Sequence, residues 1–105
     1  MPGLLDQLKL VAQNKNYELR PDKTLKGNGW LGPIQMTDGS GRTMTEFSIG
    51  VNFGGKETLI PTIVPTLTKE EIYYLRGGGS PTKEIINKAV DFAKQRMNQG
   101  LSPFK

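Results

Sequence analysis

The sequence predicts an α+β fold with an N-terminal helix, a three-stranded antiparallel meander and two C-terminal helices packed on one sheet face. Three observations carry this expectation. Apolar residues recur at spacings of three and four near both ends of the chain, the pattern of one helical face. Between residues 30 and 64, short runs rich in apolar and β-branched residues are separated by glycine-containing turns. Those turns are far too short for a parallel crossover, so the strands must pair antiparallel.

The first element is expected over residues 1–16. Leu4, Leu5, Leu8, Val11 and Ala12 fall on one side of a helix, with Asp6, Gln7, Lys9, Gln13 and Asn14 mainly on the other. Pro2 or Gly3 would start it, and Asn14 to Asn16 would end it. So short a helix is marginal alone and needs a surface to pack on. That surface is either its own domain or another protein, which makes Leu4 and Leu8 interface candidates. Residues 17–105 are expected to form a single α+β domain, the size 105 residues allow.

After a polar segment with Arg20-Pro21-Asp22 and Gly27-Asn28-Gly29 as turn chemistry come the strands. Trp30 to Met36 is the first, and Pro33 confines it to an edge or a bulge. Asp38-Gly39-Ser40-Gly41 turns the chain into Thr43 to Val51, where Phe47, Ile49 and Val51 alternate with Glu46, Ser48 and Gly50. Gly54-Gly55 makes the next turn, and Glu57 to Val64, broken by Pro61, is the third strand.

Two helices follow. Thr68-Lys69-Glu70-Glu71 has capping-box form, with a hydroxyl at the cap and Glu three residues later. That helix is expected from Lys69 to about Leu75, stopped at Gly77-Gly78-Gly79. Ser80-Pro81 should open the longest helix, with proline in the first turn. Its apolar face is Ile85, Ile86, Ala89, Val90, Ala93 and Met97, and Gly100 closes it. Phe104 in the following tail is expected to tuck back onto the domain.

Composition limits the chemistry. The chain has no Cys and no His, so it offers no disulfide, thiolate nucleophile, imidazole base or zinc site of the usual kind. We expect a protein that is not an enzyme, with no catalytic residue, no metal and no cofactor. Nothing approaches the run of about 20 apolar residues that a membrane span needs, and the start shows no secretory leader. A soluble protein made in a cytoplasm, without a membrane partner, is the expectation.

The local motifs also read as structural. Gly27-Asn28-Gly29-Trp30-Leu31-Gly32 matches G-x-G-x-x-G, but no strand precedes it and no helix follows, as a dinucleotide site requires. Gly77-Gly78-Gly79 precedes a helix but lacks a P-loop ending, so a hinge is the plainer role. Glu46 and Glu57 are the carboxylate pair a minimal cell-wall hydrolase would need; pairing with Arg42 or Lys56 is the simpler use.

Charge is unevenly placed. Residues 1–75 carry eight cationic and eight anionic side chains, while residues 76–105 carry six against two, so the net +4 lies in the last third. Lys83, Lys88, Lys94 and Arg96 are the basic-face candidates for weak contact with DNA or an acidic protein. Glu84 four residues before Lys88, and Asp91 three before Lys94, should partly neutralise them. Trp30, Phe47, Tyr73 and Tyr74 are the large anchors. Adjacent tyrosines on a helix point about 100° apart, so Tyr73 and Tyr74 join Trp30 as interface candidates.

Several runs are distinctive: Gly29-Trp30-Leu31-Gly32-Pro33, Thr45 to Val51, Ile60-Pro61-Thr62-Ile63-Val64-Pro65-Thr66-Leu67-Thr68, and Ala89 through Ser102-Pro103-Phe104. From Lys26 onward the chain resembles a short uncharacterised module of tailed-bacteriophage genomes, found free-standing or at the ends of virion and DNA-ejection proteins. The resemblance covers about three-quarters of the chain, carries no functional residues with it, and implies a setting in the phage virion. The expected function is therefore a non-enzymatic accessory or structural protein binding other particle proteins, its oligomeric state set by the assembly. The alternative is a small intracellular phage protein that inhibits a host protein or regulates nucleic acid.

Overall fold

A computed structural model describes residues 19–105. The helix expected over 1–16, with Leu4 and Leu8, lies outside the described residues. The rest is α+β, but the strands form two separate antiparallel pairs where a three-stranded meander is expected. The first pair is β1 (Ile34–Gln35) with β2 (Thr43–Met44), and the second is β3 (Ser48–Phe53) with β4 (Lys56–Pro61).

The division has a local cause. The run from Thr43 to Val51, expected as one strand, breaks at residues 45–47, where Phe47 adopts φ 50°. A non-glycine residue in this left-handed region cannot continue a strand. The break is held in place by Thr62, whose N–H lies 3.0 Å from the carbonyls of both Glu46 and Phe47, and by Ile63 N–H donating to Glu46 at 3.2 Å. β2 therefore pairs back onto β1, with Ile34 opposite Met44, while β3 pairs forward with β4, with Ile49 opposite Ile60. Gly54 and Gly55, at φ 61° and 90°, join β3 to β4. Two successive positive φ values are what a two-residue type I′ hairpin demands, and glycine supplies them without steric cost.

The two helices, α1 (Lys69–Arg76) and α2 (Lys83–Asn98), do not cover one sheet face. α1 contributes to one hydrophobic cluster and α2 to two. Leu75 of α1 and Ile85 of α2 join Met44, Ile63, Val64 and Leu67, with Phe47 packed alongside. Ala89 and Ala93 of α2 meet Ile60, flanked by Ile49, Val51 and Phe53 on the hairpin's inner face. Small residues at 89 and 93 let the helix lie close against the strands. Burial of each large side chain such as Ile60 or Leu75 contributes about 1.5–3 kcal/mol.

Both helices end and begin by local rules. The capping box at Thr68 is complete: Glu71 N–H donates to the Thr68 hydroxyl, and Thr68 N–H donates to the Glu71 carboxylate. α2 begins two residues later than Pro81 suggests, because the Thr82 hydroxyl accepts from Ile85 N–H and takes the cap. Gly77-Gly78-Gly79 is a helix stop rather than a hinge. Gly78 N–H donates to Leu75 and Gly79 N–H to Tyr74, the paired bonds of a Schellman motif. The same bonds recur after α2, from Gly100 to Met97 and from Leu101 to Arg96.

Candidate protein interface

Glu46 stands at the β2–β3 break and is 2% exposed. Its carboxylate accepts from Arg20 Nε and Nη2, both at 2.8 Å, and from Gly27 N–H at 2.8 Å. The partner is Arg20, 26 residues earlier, and not Arg42 or Lys56. Glu57 sits opposite Asn52 near the far end of the hairpin. Glu46 is thus engaged by Arg20 and Gly27, while the Glu57 carboxylate lies against Gly50 on the neighbouring strand.

Arg20 also lies over the Phe104 ring, 3.8 Å from its centroid, so the tail does fold back. Trp30 is engaged nearby. Its indole N–H donates to the Pro103 carbonyl at 3.1 Å, its ring meets Phe92 edge-to-face at 5.1 Å, and the Arg96 guanidinium covers it at 4.8 Å. Trp30, expected as an interface residue, is thus used inside the domain. Gly29 is buried at φ 82°, and a Cβ there would overlap the Thr45 carbonyl. This close approach brings the loop onto the break that follows β2.

The basic face is shorter than its sequence suggests. Lys88 reaches across to Glu71 on α1 at 2.8 Å, instead of pairing with Glu84. This ammonium first, and then the Thr68 N–H, hold the Glu71 carboxyl below its ordinary value. Arg96 is occupied by Trp30 and by the Ser102 carbonyl, to which its Nε donates at 2.8 Å. Lys83 and Lys94 stand exposed on α2. The ion pairs among the described residues are Arg20–Glu46, Arg42–Asp38 and Lys88–Glu71.

The tyrosines remain at the surface. Tyr73 is 64% and Tyr74 45% exposed. Tyr74 is fixed by the chain that follows, since a Cβ on Gly79 would stand 2.5–2.7 Å from its ring atoms. Gly79 also borders a half-open cleft of about 720 Å³ between the β1–β2 hairpin, Lys26 and the end of α1. The cleft is braced by Arg76, whose Nε donates to the Gln35 carbonyl at 2.7 Å and whose carbonyl accepts from Thr37 N–H at 2.9 Å. Met36, Met44, Phe47 and Leu75 line it with apolar surface, and Lys26 and Arg42 with positive charge.

Thr45, another lining residue, is 2% exposed, and its hydroxyl has no hydrogen-bond partner among the described residues. The Thr62 hydroxyl is also unpartnered, but Thr62 does not border the cleft. At the rim, Asp38 contacts Arg42 at 3.6 Å. The Ser40 hydroxyl and N–H, with Arg42, lower the Asp38 carboxyl pKa from its ordinary value. Sequence reasoning finds the tyrosines but misses Lys26, Arg42 and Thr45, because the cleft exists only where distant segments meet.

Comparison with protein-family models, curated proteins and solved structures finds no match to this chain.

Proposed function

We propose that this chain is a non-enzymatic accessory protein of a tailed-phage particle, made in the host cytoplasm, which binds other particle proteins through the α1 tyrosines and the adjoining cleft. The observation that carries this reading is the exposure of Tyr73 and Tyr74 on α1, with Tyr74 packed on Gly79, which also lines the cleft. Tyrosines are enriched at binding hot spots, because the ring buries large area while the hydroxyl keeps a polar partner. A tyrosine held rigid by its own chain loses little entropy on binding. The engagement of Glu46 by Arg20 and Gly27 favours binding over carboxylate catalysis. The phage setting rests on the sequence resemblance.

The experiment is mass spectrometry of purified particles, with the parent chain and a Tyr73→Ala, Tyr74→Ala double variant. The parent should be present in stoichiometric amount. The double variant should remain folded by circular dichroism yet be depleted from particles. A parent chain absent from particles removes the proposal, as does a double variant incorporated as well as the parent.

A further inference from the structure

We infer that β3 is an interface for a second copy of this chain, the two strands pairing antiparallel about a two-fold axis at Gly50 so that two hairpins become one four-stranded sheet. The contact is separate from the α1 tyrosines and the cleft, and does not depend on reading the chain as a particle protein. The pairing pattern of the hairpin decides which groups are available. Gly54 and Gly55 close a two-residue turn, so Phe53 and Lys56 form a bonded pair, and bonded pairs recur at every second residue. Thr62 N–H, which donates to the Phe47 carbonyl, takes the next place in that series beyond Ile49 and Ile60. Ser48, Gly50 and Asn52 therefore turn N–H and C=O away from β4, while Glu57, Leu59 and Pro61 face away from β3. Among the described residues, none of these outward groups makes a backbone hydrogen bond.

The two edges differ in protection. That of β4 carries the devices that keep strands apart: Pro61 has no N–H to offer, and Lys56 and Glu57 are charged and exposed. β3 has neither charge nor proline, and its Gly50 and Asn52 are exposed. α2 packs over β4, and Ile49, Val51 and Phe53 are only half-buried on the inner face. A hairpin of two strands gains from a third beside it.

A second copy fits because the edge is its own complement. About the axis, Gly50 faces Gly50 of the second copy and Ser48 faces its Asn52, so the outward groups of these residues are all paired. On the inner face Ile49 meets Val51 of the second copy, an apolar cross-strand pair. The axis stands normal to the sheet, which places both α2 helices on the same face. Three strand spacings, about 14 Å, separate β4 of one copy from β4 of the other, room for two helices about 10–12 Å in diameter. The Glu57 carboxylate opposes the contact, since it lies against Gly50 and two such groups meet near the axis. Association through so short an edge is weak.

The test is sedimentation velocity of the full chain from about 0.02 to 1 mM, with amide hydrogen exchange followed by NMR at both ends of that range. A reversible monomer–dimer equilibrium is expected, with Kd below about 0.5 mM. The amides of Ser48, Gly50 and Asn52 should then exchange at least about twofold more slowly at the higher concentration, while those of Glu57 and Leu59 keep their rates. Gly50→Pro removes an N–H that the hairpin does not use, as Pro61 does on β4, and should weaken dimerisation by about tenfold or more. Glu57→Gln should tighten it severalfold. A chain still monomeric at about 1 mM overturns the inference. So does a dimer without slowed exchange at Ser48, Gly50 and Asn52, which would assign self-association to another surface. A folded Gly50→Pro chain that dimerises like the parent overturns it too, and if that variant does not fold, the parent's exchange rates decide. A Glu57→Gln dimer no tighter than the parent's overturns the axis at Gly50.

Discussion

Replacing Arg20 by alanine probes the buried ion pair that ties the 19–30 loop to the β2–β3 break. Glu46 is 2% exposed and takes three donors, two of them from Arg20. Arg20→Ala leaves a buried carboxylate with the Gly27 N–H alone. Breaking a buried pair in this way costs about 3–5 kcal/mol, chiefly through the uncompensated charge. The Arg20 side chain is 14% exposed, so water reaches that end and the lower figure applies, about 3 kcal/mol. Loss of the guanidinium over Phe104 adds about 0.5–1 kcal/mol. For a domain of this size each kcal/mol lowers the midpoint by about 4–8 °C, so a fall of roughly 12 °C or more is expected. Urea unfolding at pH 7, followed by fluorescence of the single tryptophan, Trp30, measures the change directly. Arg20→Met with Glu46→Leu should restore stability to within about 1 kcal/mol, because neither charge then remains. A loss below about 1 kcal/mol for Arg20→Ala would refute the reasoning, as would a double variant no more stable than the single one.

Three further outcomes follow from local geometry. Gly29→Ala should destabilise by at least about 1–3 kcal/mol from the backbone conformation alone, with the overlap on the Thr45 carbonyl adding to it; a neutral result in a thermal melt contradicts the close approach. Phe47→Gly should be no less stable than Phe47→Ala, because glycine relieves a left-handed conformation costing about 1–2 kcal/mol; a glycine variant clearly weaker in urea would count against the break at residue 47. Glu71 titrates below its ordinary 4.5 in the folded chain, so its contribution is complete above about pH 4.5 and is lost as pH falls through the folded value. Lys88→Met removes the main cause of that shift. Urea melts at pH 7, 4.5 and 3 should therefore show a smaller acid loss for the variant than for the parent, and parallel losses would contradict the assignment.

The features legible in the sequence are those determined within a few residues. The Thr68–Glu71 box, the Gly54-Gly55 turn and the apolar stripe through Ile85, Ala89 and Ala93 each depend on neighbours three or four positions away. Pro81 shows where even local rules compete: proline marks the approach to α2, but the Thr82 hydroxyl sets its first turn. The meander fails as an expectation because alternation from Thr43 to Val51 records which side chains are apolar and not the φ of Phe47. Helix spacing suggests Glu84 for Lys88, yet Glu71 on another helix is the partner. The Arg20–Glu46 pair and the cleft need segments far apart in sequence to meet, and no spacing within either segment announces that meeting.

The tail contacts have a consequence for the order in which the chain can form. The 19–30 loop is held from one side by Glu46 and from the other by Pro103 and Phe104, with Pro103, the acceptor of the Trp30 indole bond, 73 residues beyond it. During synthesis the chain emerges at about 5–20 residues per second. The capped helices and the Gly54-Gly55 hairpin rest on local contacts and can settle as they appear. Trp30 and Arg20 must wait for residues 103 and 104 to be made. Any partner that engages the loop before then meets an indole still open to solvent, and meets a closed one afterwards.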